Sequence, residues 1–346
     1  MSMLAPARLC IAAARLARSF GTTQVRASAP PSATHPIPTS KTSTSPLAPI
    51  GVAAALAHAA DQSGAKLAPV PKLQQEFSLA DRVALVSGGN RGIGLEVALA
   101  LVEAGARRVY CVDLPKTPGA EFLAVQAYAR AMMGPADEGE GPEEGERLEY
   151  VCADVRDQEK MWAVGREVGE REGRMDVCVA AAGVLKDNTP CLDYPAAQFR
   201  EVLDINTTGV LFTAQAAGRE MARFGNGGSI VLIASMSGSL TNRGHAWVSY
   251  NSSKSAVLQM ARSMACELGP QRIRVNTLSP GHIYTSMTTA YLDKQPKLLD
   301  VWANMNPMGR IGRPDELRGV VAWLASDASS FCTGSDIMVT GGHQAW

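Results

Sequence analysis

The chain has 346 residues, with 33 basic and 33 acidic side chains and no formal net charge. That length accommodates one α/β domain of roughly 250 residues with an extra segment. The balanced charge gives no overall electrostatic reason to bind nucleic acid or an anionic membrane, and no stretch reaches the ~20 apolar residues of a membrane span. The seven cysteines are scattered without a C-x-x-C pair, so neither a zinc site nor a redox motif is signalled.

In chain order, Met1 to Ala60 contains no acidic residue, the first being Asp61. Arg8, Arg15 and Arg18 fall on one side of a candidate helix, with Leu9, Ala12, Ala13, Leu16 and Phe20 mostly opposite. This acid-free, arginine-bearing amphipathic start predicts a mitochondrial transit peptide over residues 1–20, with processing near Arg18–Phe20 and a matrix location. An unprocessed tail would instead leave the protein in the cytoplasm. Residues 21–75 are rich in Pro, Ser, Thr and Ala and are expected to form a disordered linker, with one short helix conceivable over Val52–His58.

From residue 76 to 346 the pattern changes to a folded domain. Buried strands are expected at 83–86, 108–112, 148–153, 176–181, 229–234, 273–278 and 336–340. The clearest helical segments between them are 92–105, 157–172, 197–223, 249–268 and 314–326. Alternating β and α units of this length predict a doubly wound parallel sheet with ligands outside the carboxyl ends of its strands. Pro135 to Arg147 is acidic and rich in Gly and Pro, and reads as a surface loop before the third strand.

After the first strand comes Ser87-Gly88-Gly89-Asn90-Arg91-Gly92-Ile93-Gly94, and a helix opens behind it. Glycines permit the tight turn and close backbone approach to a pyrophosphate, while the helix start presents free N–H groups and a positive dipole end. Asp113 ends the second strand nineteen residues beyond Gly94. A carboxylate there can accept the ribose hydroxyls of NAD and would repel the extra phosphate of NADP. Arg91 pulls the other way, so NAD is favoured with NADP as the alternative.

Tyr250 and Lys254 stand four residues apart in a helix-forming segment, which places phenol and ammonium on one face. A phenol with pKa near 10 is a poor base at neutral pH, and a neighbouring cation favours its ionised form. Such a pair can take a proton from an alcohol or give one to a carbonyl while hydride moves to or from a nicotinamide.

Gly88, Gly92 and Gly94 in G-x-x-x-G-x-G spacing, together with Tyr-x-x-x-Lys, resemble the short-chain dehydrogenase/reductase family. The likeness runs from about Asp81 to the C-terminus and implies a single Rossmann-like, seven-stranded parallel sheet. It implies that Ser235, at the end of the fifth strand, hydrogen-bonds the reacting oxygen. Ser237 competes, because it lies thirteen residues before Tyr250, the commoner family spacing, against fifteen for Ser235. Ser235 is preferred because it follows the apolar strand directly. Asn206 matches the helix asparagine that helps hold a relay water near the lysine.

Cofactor contacts implied by the resemblance are Gly88, Asn90, Arg91, Gly92, Ile93 and Gly94 in the glycine turn, Asp113, and Asp154 and Val155 after the third strand. Ala182, Gly183, Tyr250, Lys254, Pro280, Gly281, Ile283 and Thr285 complete the set. One departure stands out: Ala180-Ala181-Ala182-Gly183 replaces Asn-Asn-Ala-Gly, so an amide that braces the central strands is missing.

Within the family the chain is similar to the sorbose reductase, mannitol dehydrogenase and D-arabinitol dehydrogenase branch, which implies a sugar alcohol and its ketose as substrates. Asn242 to Ser249 and Ile283 to Met305 are expected to border the pocket, with no metal. There Asn242, His245 and Tyr284 either hydrogen-bond substrate hydroxyls or face water, and Trp247 either walls the pocket or stacks on a sugar face or lies in an oligomer contact. A 3-oxoacyl-thioester (acyl carrier protein) reductase and a non-catalytic dinucleotide-binding protein are the competing readings. A homotetramer is the assembly that the resemblance implies.

Overall fold

The computed structural model describes residues 47, 49–61, 68–132, 146–293 and 297–346. The expected transit peptide, the linker through residue 46 and most of the acidic loop lie outside these residues. Inside the segment expected to be a disordered linker, Gly51–Ala60 forms helix α1 and Leu73–Glu76 a single turn, α2. The alanine-rich sequence of α1 carries high intrinsic helix propensity. None of its residues is buried.

Seven parallel strands follow: β1 Val83–Ser87, β2 Arg108–Asp113, β3 Leu148–Cys152, β4 Val177–Ala180, β5 Gly228–Ile233, β6 Ile273–Pro280 and β7 Asp336–Val339. They form one sheet in the order β3-β2-β1-β4-β5-β6-β7. All seven fall within two residues of their expected positions. The five inner strands, β2, β1, β4, β5 and β6, are buried on both faces, which is why they read as continuous apolar runs rather than as alternation, while the edge strands β3 and β7 are only partly buried.

Helices α5 Gln158–Glu172, α7 Gly209–Phe224 and α8 Val248–Leu268 cover one face. Helices α3 Gly92–Glu103, α4 Ala120–Ala131 and α11 Arg318–Ala325 cover the other. In β1, Val83 and Leu85 enter the first core while Ala84 and Val86 enter the second, as the two-residue period requires. Shorter helices α6 Ala196–Leu203, α9 Ser286–Leu292 and α10 Lys297–Asn304 lie in the connections. The chain order reverses between β1 and β4, so the carboxyl ends of these strands frame the crevice where such sheets bind ligands.

One expected helix is broken. The segment read as continuous over 197–223 consists of α6, a widened π-helical turn at Asp204–Thr208, and α7. Such turns concentrate at functional sites because the extra residue re-aims a side chain. Here it turns Asn206 fully into the interior.

Candidate active site

The glycine turn is built around its backbone. Gly88 adopts φ +68°, and a Cβ there would come within 2.8 Å of the Ala182 amide nitrogen. A Cβ on Gly94 would collide with the Gly88 carbonyl oxygen. Helix α3 then opens at Gly92 with no side-chain cap from Arg91, leaving its first-turn N–H groups unclaimed by a side chain. Gly92 has φ +59° and open space where its Cβ would be. This cradle fits the pyrophosphate of a dinucleotide: free donors, a positive helix end and no side chain in the way.

Around the turn, several expected contacts are engaged within the protein. Asp113 accepts from the Asn90 amide at 3.1 Å and the Leu114 amide at 2.8 Å, so its carboxylate is fixed at the mouth of the turn. Each carboxylate oxygen keeps a further lone pair for a ribose hydroxyl. The Asn90 side chain accepts from the Gly119 amide at 2.8 Å and ties the turn to the start of α4. Arg91 is exposed beside it.

Asp154 holds Arg156 through both carboxylate oxygens, at 3.0 and 2.6 Å, and that hydrogen bonding keeps its acid below the usual carboxylate range. Val155 buries its side chain against Gly209, leaving only its backbone for a ligand. Ala182 packs on Gly88, while its neighbours Ala181 and Gly183 reach the cleft.

At the carboxyl ends of β4, β5 and β6 lies an open cleft. Its walls include Ile93, Gly183, Ser235, Tyr250, Lys254, Pro280, Gly281, Ile283 and Thr285, all anticipated from the sequence. Met287 and Thr288 on α9 also line it, within the segment from Ile283 to Met305 expected to border the pocket. Thr285 spends its hydroxyl as the N-cap of α9, accepting from the Thr288 amide at 3.3 Å.

Tyr250 and Lys254 share a face of α8 as the spacing required. The Lys254 ammonium donates to the Ile233 carbonyl at 2.8 Å and lies 5.7 Å from the Tyr250 ring centroid. Burial pushes this lysine down to about 8. Burial also pushes the Tyr250 phenol up, opposed by a hydrogen bond with Ser235. The expected lowering of the phenol by Lys254 therefore does not prevail in the free protein. Removal of the ring from water outweighs it, and the ammonium points at a carbonyl rather than at the phenol oxygen.

The two serines separate clearly. Ser235 lines the cleft and meets Tyr250, with its oxygen also accepting from the Ser237 amide at 3.1 Å. Ser237 is buried and donates to Asn242 Oδ1 at 2.7 Å, away from the cleft. Asn242 is thus a partner of Ser237 and does not border the pocket as expected. Trp247 is likewise buried, stacked on His245 with ring centroids 4.0 Å apart, and is unavailable to a sugar face. Tyr284 stays half exposed.

Asn206 braces the backbone that follows the Ala180–Gly183 stretch. Its Oδ1 accepts from the Val184 amide at 2.8 Å, and its Nδ2 donates to the Val184 carbonyl at 2.9 Å and to Ser253 Oγ at 3.2 Å. The side-chain amide pins the backbone that follows Gly183, directly opposite Lys254.

The comparisons with known proteins agree with this geometry. A family model described as enoyl-(acyl carrier protein) reductase matches residues 88–344. A sorbose reductase from Schizosaccharomyces pombe is 37% identical over 267 residues, covering 77% of this chain and 97% of that protein. A ribulose-forming D-arabinitol 2-dehydrogenase from Scheffersomyces stipitis is 32% identical, covering 78% and 96%. Among solved structures, a gluconate 5-dehydrogenase from Burkholderia cenocepacia in complex with NADP and tartrate superposes with TM-score 0.68 at 29% identity, over 79% of this chain and 99% of that one. The chain belongs to the short-chain dehydrogenase/reductase family and is an NAD(P)-dependent oxidoreductase.

Proposed function

We propose that this enzyme interconverts a sugar alcohol and its ketose, with Tyr250 as the proton-transfer residue. The observation that carries the reading is the Ser235–Tyr250 pair at the cleft wall, with Lys254 buried behind it. The sorbose and D-arabinitol relatives support the substrate class. In the oxidative direction the ionised Tyr250 oxygen removes the proton of the substrate hydroxyl, and Ser235 donates to the same oxygen and holds it in place. A bound dinucleotide supplies the hydride acceptor, or the hydride donor in the reverse direction. Lys254 holds positive charge beside the phenol, and Asn206 keeps the Gly183–Val184 wall rigid. Gly88, Gly92 and Gly94 would hold the pyrophosphate.

NAD is the preferred cofactor on this reading, because Asp113 stands fixed at the mouth of the turn; exposed Arg91 is the feature that favours NADP. The test is a panel of D-arabinitol, mannitol and sorbitol, with an acetoacetyl thioester as competitor, run with both dinucleotides. Wild type should oxidise a polyol, and Tyr250→Phe should lose about 10²–10⁴-fold in kcat. Full activity in that variant removes the proton-transfer role, and turnover of the thioester alone removes the substrate class.

The same reading places the protein in the mitochondrial matrix, on the arginine pattern of residues 1–20, and assembles it as a homotetramer. N-terminal sequencing of native protein, expected to begin at or beyond residue 21, tests the first. Light scattering, expected to return four chains, tests the second.

A further inference from the structure

We infer that Trp302 is a positioning residue for the substrate: it joins the two walls of the cleft through a hydrogen bond to His245 and a stack on His282. The inference rests on the proposed function only in seating the substrate in this cleft. Trp302 lies on α10, in the segment from Ile283 to Met305 expected to border the pocket but in no motif of the family resemblance, and is 1% exposed.

Its indole N–H donates to His245 Nε2 at 3.0 Å. Its ring lies parallel to that of His282, with centroids 4.2 Å apart and planes 7° apart. His245 sits five residues before Tyr250, on the segment that runs into the catalytic helix. His282 sits between Gly281 and Ile283, both of which line the cleft on the opposite side. Trp247 closes the arrangement, packing edge-on against both Tyr250 and Trp302 at 6.3 and 6.4 Å. One side chain from a third segment thus touches the wall that carries the catalytic tyrosine and the wall beyond β6.

The hydrogen bond has a definite chemistry. An indole N–H only donates, so His245 must present a lone pair at Nε2 and carry its proton on Nδ1. Burial pushes the pKa of His245 below its ordinary value, which favours this neutral form. His245 Nδ1 is buried with no hydrogen-bond partner among the described residues. A buried donor left so is unfavourable, and an aliphatic side chain would avoid that cost. Retention of an imidazole here is explained by its acceptor, which Trp302 uses.

The test compares Trp302→Phe, His245→Leu and His245→Gln. Steady-state kinetics use whichever polyol or small ketone the wild type turns over fastest, and the dinucleotide Kd is measured by fluorescence titration. Trp302→Phe keeps an aromatic ring and removes the donor, while the glutamine keeps an acceptor that the leucine lacks.

Trp302→Phe and His245→Leu should each raise KM about 5- to 10-fold, the worth of one neutral hydrogen bond. Their kcat should stay within about twofold of wild type, with dinucleotide Kd unchanged, and His245→Gln should return KM toward wild type. The inference is overturned by an unchanged KM in the first two variants, by glutamine behaving like leucine, or by dinucleotide Kd rising in step with KM. If no polyol or ketone is turned over, the proposed function fails on its own account. Hydrogen exchange then decides the inference: Trp302→Phe must speed amide exchange at both 245–250 and 281–284, and unchanged exchange in either segment overturns it.

Discussion

The dinucleotide side of the crevice and the substrate side are held by different physics. On the first, the decisive groups are backbone: a left-handed Gly88, an open Gly92 and a Gly94 whose missing Cβ makes room for the Gly88 carbonyl. On the second, they are side chains from distant segments, with His245, Trp247, Trp302 and His282 closing on one another through stacking and one hydrogen bond. A site made of backbone tolerates few residue types and leaves a dense local motif. A site made of packed rings only has to fill a volume, so its members sit far apart in the chain and follow no spacing.

The difference can be broken most severely at the glycine turn. Gly94→Ala places a methyl group against a backbone carbonyl that cannot retreat without moving β1, and should cost about 3 kcal/mol or more. Dinucleotide binding should be lost along with it. Thermal unfolding and a fluorescence titration check both; normal binding in this variant would show that the turn is looser than its contacts indicate.

Lys254 offers a pH-dependent test at the boundary of the two sides. Its folded pKa, about 8, lies below the unfolded reference of 10.5, so below pH 8 the folded protein bears the cost of a buried ammonium. That cost amounts to about 3 kcal/mol. It fades as pH rises from 8 to 10.5. Lys254→Met should therefore unfold at higher urea than wild type at pH 7, with the advantage shrinking by pH 10, both measured without dinucleotide. An advantage that does not depend on pH would contradict this assignment.

A smaller effect is expected at Asn206. Asn206→Ala leaves the Val184 amide and carbonyl without their partner and should cost about 2 kcal/mol. It should lower Tm while sparing dinucleotide affinity. Smaller still, Asp113→Asn keeps an acceptor but removes the charge, and should narrow the preference for NAD over NADP without changing Tm. Equal kcat/KM ratios for the two dinucleotides before and after the change would remove Asp113 from ribose recognition.

Much of the site was legible in the sequence because its chemistry demands particular residues at fixed distances. Tyr250 and Lys254 must share a helix face, and Ser235 must stand where an apolar strand ends. The same reasoning left Asn242 and Trp247 open between the pocket and a bland role, and both turn out to be buried within the protein. A polar or aromatic residue in a loop gives no periodicity from which to tell inward from outward. The break at Asp204–Thr208 was invisible for a related reason: a π-helical turn adds one residue to an otherwise ordinary helical pattern. The short helix conceived over 52–58 spans 51–60, within a stretch whose composition, averaged over 21–75, argued for disorder.

Seven apolar runs alternating with amphipathic helices, a glycine turn behind the first strand and a Tyr-x-x-x-Lys pair were enough to determine the sheet and its dinucleotide crevice and to set Tyr250 and Lys254 on one helix face beside it. Each of these depends on local geometry that a short piece of chain imposes on itself. Tertiary structure alone decided that Asn206 braces Val184 and that Trp302 lies between two histidines 37 positions apart. Those relations depend on how separate elements pack, and close packing selects by shape and volume, which leave no periodic trace along a chain.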